Sequence, residues 1–223
     1  MILLTGGSGR LGSCLRLLLP CIAPTSRQFN ILGPDLPNDV DLIVHAAAYT
    51  AVDKAETNRN ACYTINVNGT RQVASLGCPV VYISTEYVFD GEQGNYTEDA
   101  PVSPVNWYAK TKVWGEEEVR KTRHLIIRCL FKPRPFPHPR AITDQWTSGD
   151  YVDVIAPMIA KSVLLFQEGK LDGTLNIGTG RKSTYDLARQ SREVEAITRA
   201  DVPVKLPKDT SLDLTKWKLI SQD

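Results

Sequence analysis

The chain has 223 residues, with 26 Lys and Arg against 25 Asp and Glu, and a formal charge of +1 without long runs of one sign implies neither nucleic acid nor an anionic membrane surface as a partner. Its length and 42% hydrophobic content suit one ordinary domain, or one with a small appendage, that can bury a substantial core. The five cysteines, Cys14, Cys21, Cys62, Cys78 and Cys129, are odd in number and lack C-x-x-C spacing, which predicts free thiols in a reducing, cytoplasmic setting. No stretch reaches the roughly 18 apolar residues of a membrane span, and "MILLTGGSG" lacks a basic leader, so it reads as a strand rather than an export signal.

In chain order, "MILLT" (1–5), "CIAP" (21–24), "DLIVHAA" (41–47), "PVVYIS" (79–84) and "HLIIRC" (124–129) are the predicted strands, and most are apolar on both faces, as buried parallel strands are. Helical spacing fills the gaps at 10–19, at 57–77 with Thr57 as cap and Gly77 and Pro79 as stop, and at 106–122 with Asn106 as cap. This alternation predicts an α/β fold with a doubly wound, Rossmann-like parallel sheet. After Cys129, "FKPRPFPHPR" (131–140) carries four prolines in ten residues and reads as a loop. A helix interrupted by Pro157 is expected over about 152–168, a short strand at 174–178, and another helix from Ser183 or Thr184. The last thirty residues are weakly patterned, and no internal repeat is present. The expected division is a dinucleotide-binding domain over 1–130 and an abbreviated, interleaved substrate-binding region over 131–223.

"TGGSGRLG" (5–12) follows the first strand and opens the first helix. Its Gly6-x-x-Gly9-x-x-Gly12 spacing supplies a tight turn and a bare backbone for a pyrophosphate, although a purely structural turn would use the same glycines. At the end of the second strand no carboxylate stands ready for the ribose hydroxyls of NAD. Thr25, Ser26 and Arg27 occupy that place instead, two hydroxyls and a guanidinium that suit a 2′-phosphate; the alternative is that Arg27 is a plain surface charge. NADPH is therefore the expected cofactor, with NADH left open. The small residues Ala46, Ala47 and Ala48 end the third strand where a cofactor would lie, and His45, inside that strand, reads as a core histidine. Tyr108 and Lys112 are four residues apart, so they share one helix face, whereas Lys110 points elsewhere.

"TGGSGRLG", "AAAYTAVDKAE" (46–56), "STEYVF" (84–89) and "YAKTKVWGE" (108–116), with the looser "TDQWTSGDYVDVIA" (143–156) and "PKDTSLD" (207–213), span nearly the whole chain. Together they resemble the extended short-chain dehydrogenase/reductase superfamily and, within it, the dTDP-4-dehydrorhamnose reductase family. The resemblance implies NADPH-dependent reduction of the 4-keto group of a nucleotide-linked 6-deoxy sugar. Its implied catalytic residues are Tyr108 as proton donor, Lys112 as support for the phenol and the nicotinamide ribose, and Thr85 as the group orienting the carbonyl. Implied cofactor contacts are Gly6, Gly9, Arg10, Leu11, Gly12, Thr25, Ser26, Arg27, Asn30, Ile31, Ala46, Ala47, Ala48, Tyr49, Thr50, Tyr108 and Lys112. Implied sugar contacts are Thr85, Glu86, Tyr87, Tyr108 and Phe131. Asn66 either fixes the neighbouring helix or is an ordinary helix-surface residue.

The chain also departs from the family's pattern. The segment after the second strand and everything after Cys129 are shorter than usual, Phe131 takes the place of a tryptophan, and Glu86 replaces an aspartate with a side chain one methylene longer. Cys14 stands where some relatives place a metal-bridging glutamate, so no metal is expected; a homodimer is compatible with the family. Two other readings stay open: another nucleotide-sugar reductase or epimerase of the superfamily, and a regulatory subunit that binds NADP without turnover.

Overall fold

The structure is a computed structural model that describes residues 1–35 and 37–222. Its centre is a sheet of six parallel strands: β1 (Ile2–Thr5), β2 (Cys21–Ile22), β3 (Leu42–His45), β4 (Val80–Ile83), β5 (His124–Arg128) and β6 (Gly173–Asn176). They lie in the order β6-β5-β4-β3-β1-β2. Each of the four longer runs read as strands is one, trimmed by a residue or two at its ends; β2 keeps only two residues. Period-2 alternation divides each strand between two layers. Ile2 and Leu4 face α1 (Arg10–Leu18) and the helix Val152–Gln167, whereas Leu3 faces Phe29, Ile43 and Val73 on the opposite side. The strand order reverses between β1 and β3, and a crevice opens at the carboxyl end of such a switch point.

The helix expected over 57–77 is broken. Short α-helical pieces at Val52–Ala55, Arg59–Tyr63 and Thr70–Ala74 flank a π-helical stretch, Thr64–Gly69, and the cap position is Asn58, not Thr57. The cause is Asn66, which turns into the protein: its Oδ1 accepts from the Tyr49 amide at 2.7 Å, and its Nδ2 donates to the Tyr49 carbonyl at 3.1 Å and to Thr111 Oγ1 at 2.9 Å. Thr70 Oγ1 donates to the Asn66 carbonyl at 2.7 Å, so a side chain takes over part of the local backbone ladder. Asn66 thus fixes this helix rather than decorating its surface.

Pro157 does not interrupt its helix, which runs unbroken from Val152 to Gln167. The N–H that proline lacks would have bonded the carbonyl of Asp153, and both residues are exposed, where that carbonyl keeps its hydration. The proline-rich stretch is irregular between Phe131–Lys132, which pairs in parallel with Asp150–Tyr151 before Pro133 removes the next donor, and Arg140, which starts a short strand, Arg140–Ile142, paired with Glu195–Ile197. The weakly patterned C-terminus forms a helix at Thr215–Ile220, and before it residues 208–213 weave into the loops after β4. Trp146 N bonds Lys208 O at 2.7 Å, Asp209 N bonds Gly91 O at 2.9 Å and Asp213 N bonds Tyr96 O at 2.8 Å.

The helix α2 (Trp107–Val119) is positioned at both its start and its buried face. Asn106 Oδ1 accepts from Ala109 N at 2.9 Å while its Nδ2 donates to Lys205 O at 3.1 Å, and Glu56 Oε1 accepts from Trp107 N at 2.7 Å. Replacing a capping Asn by Ala costs about 1 kcal/mol. Because Asn106 also anchors the segment at Lys205, Asn106→Ala should lower stability by about 1–2 kcal/mol in urea unfolding monitored by circular dichroism; an unchanged midpoint would show the cap to be redundant with Glu56.

Candidate active site

A cleft of about 800 Å³ opens at the carboxyl edge of the sheet. One wall is the turn after β1, with Gly6, Ser8, Gly9, Arg10, Leu11 and Gly12. Two of its glycines are sterically required. Gly6 has φ of +71° and a side-chain carbon there would meet the Ala47 backbone at 2.7 Å; on Gly12 it would meet the Gly6 carbonyl at 2.1 Å. Gly9 is the N-cap of α1 and offers no side-chain cap bond, and the first turn holds no acidic residue. The leading amides of the helix are therefore available to an anion, which fits the pyrophosphate of a dinucleotide.

The floor is Ala46, Ala47, Ala48 and Thr50 from the end of β3, with Ser26, Asn30 and Ile31 at one end. Three residues expected to touch the cofactor do not line the cleft. Thr25 is turned to Gln28, donating from its hydroxyl to Oε1 at 3.0 Å; Arg27 is exposed beside Ser26; and Tyr49 points away while its backbone is held by Asn66. His45 is buried, bonds Thr5 Oγ1 at 2.7 Å and Thr70 Oγ1 at 3.1 Å, and is pushed down to about 3 by burial, with the Lys112 charge adding to it. It is a neutral core residue.

The far end gathers Thr85, Tyr87, Tyr108, Lys112 and Phe131. Thr85 caps the short turn Glu86–Val88 by accepting from the Tyr87 amide at 3.2 Å. Tyr108 is half-buried; burial raises its pKa, and the Thr85 hydroxyl, which stabilises the phenolate, pulls it part of the way back. It holds its proton at neutral pH. Lys112 is only 2% exposed, donates from Nζ to Ile83 O at 2.8 Å, and lies 3.9 Å from the centre of the Tyr82 ring. Burial brings its pKa down to about 7, against the opposing pull of Glu116. Lys110 is exposed and outside the cleft.

Glu86 is the departure here. It is wholly buried and does not line the cleft: Thr85 is extended, but Glu86 opens a 3-10 turn that leaves its carboxylate in the core while Thr85 and Tyr87 line the cleft. Its Oε1 accepts from Thr210 Oγ1 at 2.7 Å. Burial pushes its pKa up to about 7, with the hydroxyls of Thr147 and Thr210 and the Ser148 backbone acting the other way. Several lining residues were not expected from sequence: Ser8, Leu32, Val52, Ile65, Ile83, Ser84, Cys129, Leu130 and Lys132. Ser8, Val52 and Ser84 lie within recognised motifs and were within reach of motif reasoning; Leu32 and Ile65 come from segments with no local signal. Cys129 has its thiol pushed up to about 12 by burial and is inert as a nucleophile.

Comparison with known proteins bears on this cleft. A family profile described as RmlD substrate binding domain matches residues 1–131. A dTDP-4-dehydrorhamnose reductase of Aggregatibacter actinomycetemcomitans is 33% identical over 270 aligned positions, which take in 96% of this chain and 91% of that protein. A protein of the same name from Mycobacterium tuberculosis is 30% identical over 177 residues, covering 70% of this chain; the chain spans about half of that relative, 54% of its length. Among solved structures, a dTDP-4-dehydrorhamnose reductase from Bacillus anthracis in complex with NADP superimposes with a TM-score of 0.83 at 25% identity, covering 98% of this chain and 92% of that one. No helix among the described residues is long and apolar enough to cross a membrane.

The state of Glu86 can be read from stability. Its folded pKa of about 7 lies above the ordinary carboxyl value of 4.5, so folding favours the protonated acid: its contribution is fully present below pH 4.5 and is lost as pH rises through 7. Glu86→Gln, which cannot ionise, should therefore gain in melting temperature relative to wild type between pH 5 and pH 8. A difference that is flat across that range would mean the carboxylate is already charged in the folded protein at pH 5.

Proposed function

The chain belongs to the RmlD substrate binding domain family, and we propose that it is an NADPH-dependent reductase of the 4-keto group of a nucleotide-linked 6-deoxy sugar, converting dTDP-4-dehydrorhamnose to dTDP-L-rhamnose. The observation that carries this reading is that Thr85, Tyr108 and Lys112 line the same cleft as the glycine turn. A solved relative binding NADP, and relatives bearing the reductase name, support it.

Ketone reduction needs a hydride at carbon and a proton at oxygen. A nicotinamide bound in the cleft would supply the hydride. Tyr108, with its raised pKa, keeps the proton on its phenol at neutral pH and delivers it to the carbonyl oxygen. Thr85, whose hydroxyl already interacts with that phenol, hydrogen-bonds the same oxygen and sets the carbonyl's orientation. Lys112 stands one turn further along the face; as an ammonium it stabilises the phenolate left behind and holds the nicotinamide ribose. Phe131 and Tyr87, in the same end of the cleft, present ring surface to the sugar, and Gln145 fixes the Tyr87 hydroxyl through Nε2 at 3.0 Å. Residues 1–130 would carry the cofactor, and 131–223 would complete the sugar side.

The test is NADPH oxidation followed at its absorbance band with dTDP-4-keto-6-deoxy sugars. Tyr108→Phe should lose roughly 100-fold or more in kcat, the scale of general-acid catalysis, with NADPH affinity unchanged. If wild type binds NADPH but oxidises it with none of the sugars, the regulatory-subunit reading replaces this one. Separately, Arg27→Ala should weaken NADPH several-fold and leave NADH unchanged, since only the former carries a 2′-phosphate for the exposed guanidinium to pair with; equal effects on both cofactors would remove Arg27 from the cofactor site.

A further inference from the structure

Lys112 is a buried cation, and among the described residues no carboxylate stands within ion-pairing distance of it. Only 2% of it is exposed, it lines the cleft, and its Nζ donates to Ile83 O at 2.8 Å. Its other neighbour is a ring: Nζ lies 3.9 Å from the ring centre of Tyr82, the third residue of β4. That ring is wholly buried and fixed from two sides. His45, its register partner on β3, stacks on it with ring centres 5.7 Å apart and planes 30° apart, and Thr5 and Thr70 hold the imidazole. Toward α2, Gly115 leaves room for the phenol, because a side-chain carbon there would overlap its oxygen.

The groups that could set the charge of Lys112 come from every element packed round it. Glu116, one turn along α2, draws the lysine toward its charged form, but its oxygens are engaged by Ser84 and Arg128. Burial keeps the proton on Tyr108 of α2, on Tyr82 of β4, on Cys62 of the helix Arg59–Tyr63 and on Cys129 after β5, and it keeps His45 of β3 neutral. The face of an aromatic ring is the negative part of its quadrupole and attracts a cation most strongly where water is excluded. A carboxylate in the same place would claim the ammonium's N–H groups and cancel the field that reaches Tyr108. The ring does neither, and leaves free for the cleft the donors that Ile83 does not take. We infer that Tyr82 is a positioning residue for the reaction: its ring face, acting through Lys112, keeps the ammonium charged and turned to the cleft. The consequence for turnover rests on the reductase reading above, whereas the state of the lysine does not.

Carbon-13 resonances of the lysine Cε atoms in the whole protein report that state directly. The Lys112 signal is the one that titrates at about 7 and vanishes in Lys112→Arg. Loss of the ring removes an attraction felt only by the charged form, so the midpoint should fall by about one pH unit in Tyr82→Leu, the size of a desolvated cation–π contact. Tyr82→Phe keeps the ring and should stay within about 0.3 of a pH unit of wild type. Fluorinated phenylalanines installed at position 82 weaken the ring face at nearly constant shape and should lower the midpoint stepwise with each fluorine, a series that keeps the test if the Leu variant does not fold. In NADPH oxidation with the keto-sugar, the alkaline limb of kcat/KM should move with the midpoint: Tyr82→Leu is about tenfold slower above the limb and within about twofold of wild type below it. Slowing by one factor at every pH with an unmoved midpoint, or a drop in Tyr82→Phe as large as in Tyr82→Leu, overturns the inference and leaves the reductase reading in place. A midpoint that falls as expected in a protein that oxidises NADPH with no sugar keeps the ring's support of the lysine and overturns the reductase reading instead.

Discussion

One buried carboxylate, Glu116, holds the cleft in shape. It accepts from Ser84 Oγ at 2.6 Å, from Arg128 Nε at 3.0 Å and from Arg128 Nη2 at 2.8 Å, while Arg128 Nη1 reaches Glu98 O at 2.9 Å. These bonds join α2 to the end of β4 and to β5, the three elements that bring Lys112, Thr85 and the Cys129–Lys132 segment to one place. A buried ion pair adds little net stability against an apolar replacement, but leaving one member unpaired is costly. What the pair supplies is a fixed register: α2 cannot slide or rotate on the sheet without stranding a charge. Gly115, beside it, admits the Tyr82 ring, since a side-chain carbon there would stand 2.2 Å from the Tyr82 hydroxyl.

That rigidity has an electrostatic counterpart. Burial moves Tyr108 and Tyr87 toward holding their protons and moves Lys112 toward losing its own, so each group is displaced toward neutrality. Glu116, one turn from Lys112, opposes this for the lysine. The same carboxylate thus sets the helix and keeps an ammonium available near neutral pH. In a wetter site neither the tyrosine nor the lysine would depart from its ordinary range, and the pair would be a surface turn of helix like any other.

The parallel strands were readable in the sequence because burial on both faces leaves short, continuous apolar runs; the cap at Asn106 and a helix start at Ser183 or Thr184 were readable because helix starts are local chemistry. What failed did so for tertiary reasons. The helical spacing over 57–77 gives no hint that Asn66 would abandon the surface for the backbone of Tyr49. Pro157 was a breaker by local rule, yet its position on the exposed face made the lost bond cheap. Glu86 was grouped with Thr85 and Tyr87 by motif, but it opens a short 3-10 turn and is buried in the core, and only the other two reach the cleft. Thr25 illustrates the limit of reading a loop: a residue adjacent in sequence to a lining position, Ser26, need not share its direction, and its hydroxyl is spent on Gln28.

The region after Cys129 shows why its weak patterning is not weak structure. It has no separate core of the size that the sheet has. Instead it lends β6 to the sheet, where Asn176 Nδ2 donates to Tyr96 O at 2.9 Å and Asp213 O at 3.2 Å, and it packs Leu212 and Leu214 against Val88, Phe89 and Tyr96 from the loop after β4. Within this region the helix Val152–Gln167 packs its apolar face on the sheet, whereas residues 208–214 need no periodic apolar face of their own, because their partners are loops and backbone groups. The end of the cleft that holds Thr85 and Tyr87 is therefore built on the same framework as the sheet, with Thr210 Oγ1 donating to Glu86 Oε1 in the turn that carries them.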